Sequence, residues 1–73
     1  MIERILKFDL KNRFTYHAPK NDQPARYVKI RDKALELAEM IVAETPESRE
    51  QSLAIMSLEQ ATFWANAGIA RNE

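Results

Sequence analysis

The apolar positions of this chain fall into three blocks with different periods. In residues 1–12, Ile2, Ile5, Leu6 and Leu10 fit one face of a short helix, while Leu6, Phe8 and Leu10 alternate as a strand would. The charges flanking Ile5 and Leu6 tilt this segment toward helix. Residues 13–23 predict an extended segment and loop, because Phe14 and Tyr16 alternate and Pro19 biases Ala18 away from helical backbone. From there the period changes. Tyr27, Ile30, Ala34, Leu37 and Ile41 recur at alternating spacings of three and four, one continuous stripe that Leu35, Ala38 and Val42 widen. The pattern predicts a helix over 23–45, with Asp22 as N-cap, Pro24 in the first turn and Pro46 ending it.

A second helix is predicted over 46–72. Thr45 can cap it with Pro46 at its first position, or Ser48 and Gln51 can form a capping box instead. Either connection is a few residues long, so the two helices must run antiparallel. In this second helix Leu53, Ile55, Met56, Leu58, Phe63, Trp64 and Ile69 point around most of the circumference. Ala54, Ala61, Ala65 and Gly68 add small residues that let another backbone approach. A helix apolar on more than one face must be buried on more than one face, and one partner helix cannot do that. The expected architecture is therefore all-α. It is a single domain over 1–73, an antiparallel two-helix hairpin with a short N-terminal helical or extended segment, assembled as a homo-oligomer.

Size supports the same expectation. A chain of 73 residues buries only about 60% of its unfolded surface and is marginal without added support. Cysteine is absent and His17 is the only histidine, so disulfides and thiolate or histidine-cluster metal sites are excluded. That leaves a partner or further copies. The N-terminal residues carry charge throughout and hold no long apolar run, which argues against a signal peptide or membrane span.

The net charge is zero, but residues 1–33 hold nine Lys/Arg against four acids, and residues 34–73 hold two against seven. Such a split attracts an anion to the basic half, or docks the basic end of one subunit on the acidic end of another. Zero net charge argues against a binder of long nucleic acid. Ser48, Ser52 and Ser57 have no base at a telling spacing, and Gly68, the only glycine, cannot build a phosphate loop. No catalytic residues, metal or cofactor are expected.

Two surfaces remain as candidates. Arg26, Lys29 and Lys33 share one side of their helix, with Arg31 a quarter-turn away. The plain reading is a solvated face paired with Glu36 and Glu39; the functional one is a phosphate-binding patch. Tyr16, between Arg13 and Lys20, either packs on the hairpin with Phe14 or stacks on a nucleobase. Phe63 and Trp64 read as core or subunit interface. Asn66 and Arg71 are polar groups late in an apolar helix, and Arg71 either complements the helix dipole or contacts an anion.

The segments Arg13-Phe14-Thr15-Tyr16-His17-Ala18-Pro19-Lys20, Tyr27-Val28-Lys29-Ile30-Arg31 and Phe63-Trp64-Ala65-Asn66-Ala67-Gly68-Ile69-Ala70-Arg71-Asn72 together resemble the phage-encoded anti-CBASS cyclic-oligonucleotide sponges. The resemblance spans residues 13–73 and leaves out the first dozen. It implies a homohexamer that binds cyclic dinucleotides, and in some members cyclic trinucleotides, between protomers without cleaving them. Sequestration would then starve a bacterial antiphage effector in the cytoplasm of the infected host cell. By the same resemblance Tyr16 stacks on a base, and Arg31, with Lys29 and Lys33 as near alternatives, meets the phosphates. That position carries arginine where the family pattern has lysine. A late arginine used for trinucleotides falls on Arg71, and Asn66 is a weaker candidate. A small helical protein-binding adaptor with no nucleotide ligand is the alternative.

Overall fold

The computed structural model describes residues 9–73. Two helices dominate it, α1 (Gln23–Glu44) and α2 (Arg49–Asn72), joined by a short link into an antiparallel hairpin. Residues 9–13 form a helical turn that Phe14 N–H extends by donating to Leu10 O at 3.0 Å, so the helical alternative holds where this segment is described. The strand alternative there fails. The expectation for residues 1–8 lies outside the described residues.

Helix α2 begins at Arg49 rather than at Pro46, and the side chains of the link show why. The Thr45 hydroxyl donates back to Ile41 O, so it closes α1 instead of capping α2. Ser48, on extended backbone, accepts the Gln51 N–H at 3.1 Å and is the true N-cap. Only half of a capping box forms. The Gln51 amide turns away from Ser48 and reaches Thr45 O and Thr45 Oγ1, both at 3.1 Å, and Val42 O at 3.4 Å. One side chain thus serves the unpaired carbonyls at the end of α1 while its own N–H is capped at the start of α2.

The start of α1 also departs from expectation. Asp22 sits at the N-cap position but makes no side-chain cap bond; it lies 3.4 Å from Arg26 Nε, an ion pair without hydrogen-bond alignment. Pro24 occupies the first turn as expected.

The inner stripe of α1 is Tyr27, Ile30, Ala34, Ala38 and Ile41, all half-buried, whereas Leu37 is 45% exposed. On α2 the half-buried positions include Ala54, Ile55, Leu58 and Thr62, then Asn66 through Arg71. The predicted small-residue row therefore splits: Ala54 faces the hairpin while Ala61 and Ala65 are exposed. A Cβ added at Gly68 would meet nothing within 4 Å, so no close approach inside the protomer requires glycine there.

The molecule extends 47 × 31 × 15 Å. A helix with its side chains is about 10–12 Å across, so the third dimension is one helix thick. The Cα radius of gyration is 16.0 Å against about 11 Å for a compact chain of this length. A single layer has no interior. Among the described residues no hydrophobic side chain is buried, and Leu35, Met40, Val42, Leu53, Met56, Phe63 and Trp64 are all exposed. The apolar surplus expected of α2 is thus present on α1 as well.

Candidate functional site

The hairpin carries its charge lengthwise. Lys20, Arg26, Lys29 and Arg31 lie at or near the open end, while Glu36, Glu39, Glu44, Glu47 and Glu50 run toward and around the turn.

Tyr16 stands in a stretch without regular secondary structure between the helical turn at 9–13 and α1. Its ring and that of Phe14 are each 83% exposed, so neither packs on the hairpin of its own chain. The neighbouring residues are tethered while Tyr16 is not. Thr15 Oγ1 donates to Lys11 O, and the His17 ring donates from Nε2 to Asn12 O at 2.8 Å. A carbonyl only accepts, so that bond fixes the proton on Nε2.

The cations divide. Lys33 is bridged to Glu36 at 3.0 Å, the solvated pairing of the plain reading. Arg26 is engaged by Glu73, donating from Nη1 at 3.0 Å with Nη2 completing the fork. It therefore leaves the expected phosphate patch. Among the described residues, Lys29 and Arg31 have no carboxylate partner.

Arg31 and Asn66 come together, although they are far apart in sequence. Both line a groove of ≈ 440 Å³ between the helices, with Leu35, Leu58, Thr62 and Phe63 among its walls. Asn66 Oδ1 is buried there without a hydrogen-bond partner. A buried acceptor left unmade costs about 1–3 kcal/mol, so this oxygen weakens the isolated protomer locally. Thr62 was not foreseen as part of this surface. Its signal was legible: Leu58, Thr62 and Asn66 follow one another at spacings of four, two polar residues on an otherwise apolar stripe.

Arg71 lies elsewhere. Its guanidinium is 6.0 Å from the centroid of the Trp64 ring, the outer limit of a cation–π contact. It borders two hollows, one with Met56, Phe63 and Trp64, the other with Arg13, Phe14 and Asn72. Tyr16, Lys29 and Lys33 border neither of these nor the interhelical groove. One protomer therefore collects Arg31 with Asn66, and Arg71 with Trp64 and Phe14, but does not collect Tyr16 with either.

The open end holds one group that sequence reasoning missed. Gln23 is 2% exposed, the only buried residue among those described. Its Oε1 accepts from Lys20 N–H at 3.1 Å and from the Tyr27 hydroxyl at 3.4 Å, and its Nε2 donates to Ile69 O at 3.5 Å. Nothing in a glutamine preceding a helical proline signals a buried amide. Beside it, the Arg26 guanidinium holds the Glu73 carboxyl below its ordinary range by hydrogen bonding, against an opposing desolvation penalty, and Gln23 and Lys20 reinforce the lowering. Among the described residues no cluster of His, Asp and Glu could hold a metal ion, and no helix is long and apolar enough to cross a membrane.

Compared with known proteins, the chain matches the family model described as the hairpin domain of Acb2/Tad1 over residues 9–70. No curated protein and no solved structure matches it.

Proposed function

This chain belongs to the Acb2/Tad1 hairpin family, the anti-CBASS cyclic-oligonucleotide sponges, and from that premise we propose that it sequesters cyclic dinucleotides in pockets between copies of itself. The ligand is held and released intact. Tyr16 stacks on a base, Arg31 neutralises phosphate with Lys29 or Lys33 beside it, and Asn66, which lines the same groove as Arg31, is a further contact. Arg71, with Trp64 as its platform, serves a cyclic trinucleotide. The assembly is a homohexamer acting in the cytoplasm of an infected cell, where it keeps the nucleotide from its effector.

The observation that carries this reading is the 83% exposure of Tyr16 on a chain whose unpaired Arg31 lines a groove that Tyr16 does not border. An exposed aromatic near cations is the usual platform for an unpaired base. Its separation from Arg31 within one protomer favours completion by a second protomer. Calorimetry and native mass spectrometry with a panel of cyclic di- and trinucleotides test the proposal. The expected result is saturable binding to an oligomer and recovery of unaltered nucleotide after denaturation. No binding at micromolar concentration rejects it. The exposed α2 face, with Phe63 and Trp64 at 64% and 67%, also suits an adaptor that fills a partner's groove. A stable hexamer of the chain alone counts against that second reading.

A further inference from the structure

Tyr16 belongs to a stretch without regular secondary structure, residues 16–20, that is nonetheless fixed at both ends. At one end His17 is bonded to Asn12 O. At the other, Lys20 and Gln23 exchange two bonds: Lys20 N–H donates to Gln23 Oε1 at 3.1 Å, and Gln23 N–H donates to Lys20 O at 3.0 Å. Asn21, between them, takes a positive φ of 53°, which asparagine tolerates better than most residues. The Gln23 side chain then continues past the loop to Tyr27 on α1 and to Ile69 O on α2. One buried amide therefore ties the aromatic segment to both helices. Lys20 Nζ adds an outer tether to Glu73 O at 2.6 Å.

A ring exposed on a free loop must be ordered when it meets its ligand, and that ordering subtracts from affinity. A ring exposed on a docked loop is already presented. We propose that Gln23 is the positioning residue of this segment: its amide docks residues 16–20 on the open end of the hairpin and so presents Tyr16 to the ligand. The docking stands on the geometry alone; its consequence for binding rests on the sponge reading.

The test uses the full chain and Gln23→Met, which keeps the length and apolar bulk of the side chain and removes its donor and acceptor. Amide exchange at Lys20 and the affinity for a cyclic dinucleotide that the unaltered protein binds are measured together. The expected result is exchange at least tenfold faster at Lys20 and binding at least tenfold weaker, with amides in mid-α1 and mid-α2 and the oligomeric state unchanged. Tyr27→Phe, which leaves the Lys20 bond in place, should change neither quantity more than about threefold. Unchanged exchange in Gln23→Met overturns the docking. Faster exchange with unchanged affinity overturns the positioning role. If the unaltered protein binds no cyclic nucleotide, the sponge reading fails and exchange at Lys20 alone decides the docking. Should Gln23→Met not fold, the unaltered protein still decides: a Lys20 amide that exchanges as fast as that of Asn21 overturns the proposal.

Discussion

Arg26 and Glu73 meet across the open end of the hairpin, the guanidinium forking onto both carboxylate oxygens and linking the first turn of α1 to the residue that follows α2. The carboxyl is held below its ordinary value of 4.5, first by the Arg26 hydrogen bond. A folded-state value below the unfolded one means that the contribution is complete above the ordinary value and lost as pH falls through the folded one. Thermal melts of the protein and Glu73→Gln should therefore differ at pH 7 and converge on acidification, starting near 4.5 and finishing below it. Glu73 is exposed and Arg26 only half-buried, so added salt should narrow the gap at pH 7. A gap that does not shrink at all as pH falls below 4.5 would assign it to something other than this pair.

Ser48 caps α2 with its hydroxyl, and the alternative capping group, Thr45, is turned toward Ile41. Ser48→Ala should destabilise the protein by about 1 kcal/mol, and Ser48→Asp should restore most of it. Urea unfolding at one fixed protein concentration measures this, since an assembling chain has a concentration-dependent midpoint.

The hairpin itself was legible because its signals are local. Spacings of three and four from Tyr27 to Ile41, the proline after α1 and the Ser48–Gln51 pair each act within a turn or two of chain. What the sequence did not reveal depends on long-range geometry. The choice between Thr45 and Ser48 turned on which carbonyl the Thr45 hydroxyl could reach. Arg26 looked equivalent to Lys29 on the helix surface, but only Arg26 faces Glu73, 47 residues away. Gln23 is buried because three segments converge on it, and no local pattern encodes that convergence. The candidate site was half legible: chemistry singled out Tyr16 and the cations, while the grouping of Arg31 with Asn66 and Thr62 required the packed helices.

If Tyr16 stacks on a base and Arg31 meets phosphate, as proposed, the two contribute different physics and substitutions should separate them. Tyr16→Ala removes a stacking platform worth about 1–3 kcal/mol, roughly a 5- to 150-fold loss of affinity, whereas Tyr16→Phe keeps the ring and most of the binding. Arg31→Ala removes a charge-assisted contact to phosphate of about 1.5–3 kcal/mol. Its effect should shrink as salt is raised, and the Tyr16→Ala effect should not. Titration calorimetry of the three variants at low and high salt checks both. A Tyr16→Ala variant that binds as well as the parent would remove stacking from the mechanism.

Trp64 is the only tryptophan, is 67% exposed in the protomer, and lies beside the equally uncovered Phe63. If copies of the chain cover this face, Trp64 reports it directly: its emission lies to the blue in the assembly and moves to the red on dissociation. Phe63→Asp leaves the reporter intact and places a charge where the interface has no partner for it. Removing the partner of a buried charge costs about 3–5 kcal/mol, and an unpaired carboxylate pressed into an apolar contact faces a penalty of the same order. That would be enough to split such an assembly, since no apolar side chain is buried within the protomer among the described residues. Light scattering should show a smaller species, fluorescence a red shift, and calorimetry a loss of cyclic-dinucleotide binding, all in the same variant. A dissociated Phe63→Asp that still binds nucleotide would show that the pocket is complete within one chain. That outcome would contradict the separation of Tyr16 from Arg31 on which the intersubunit site depends.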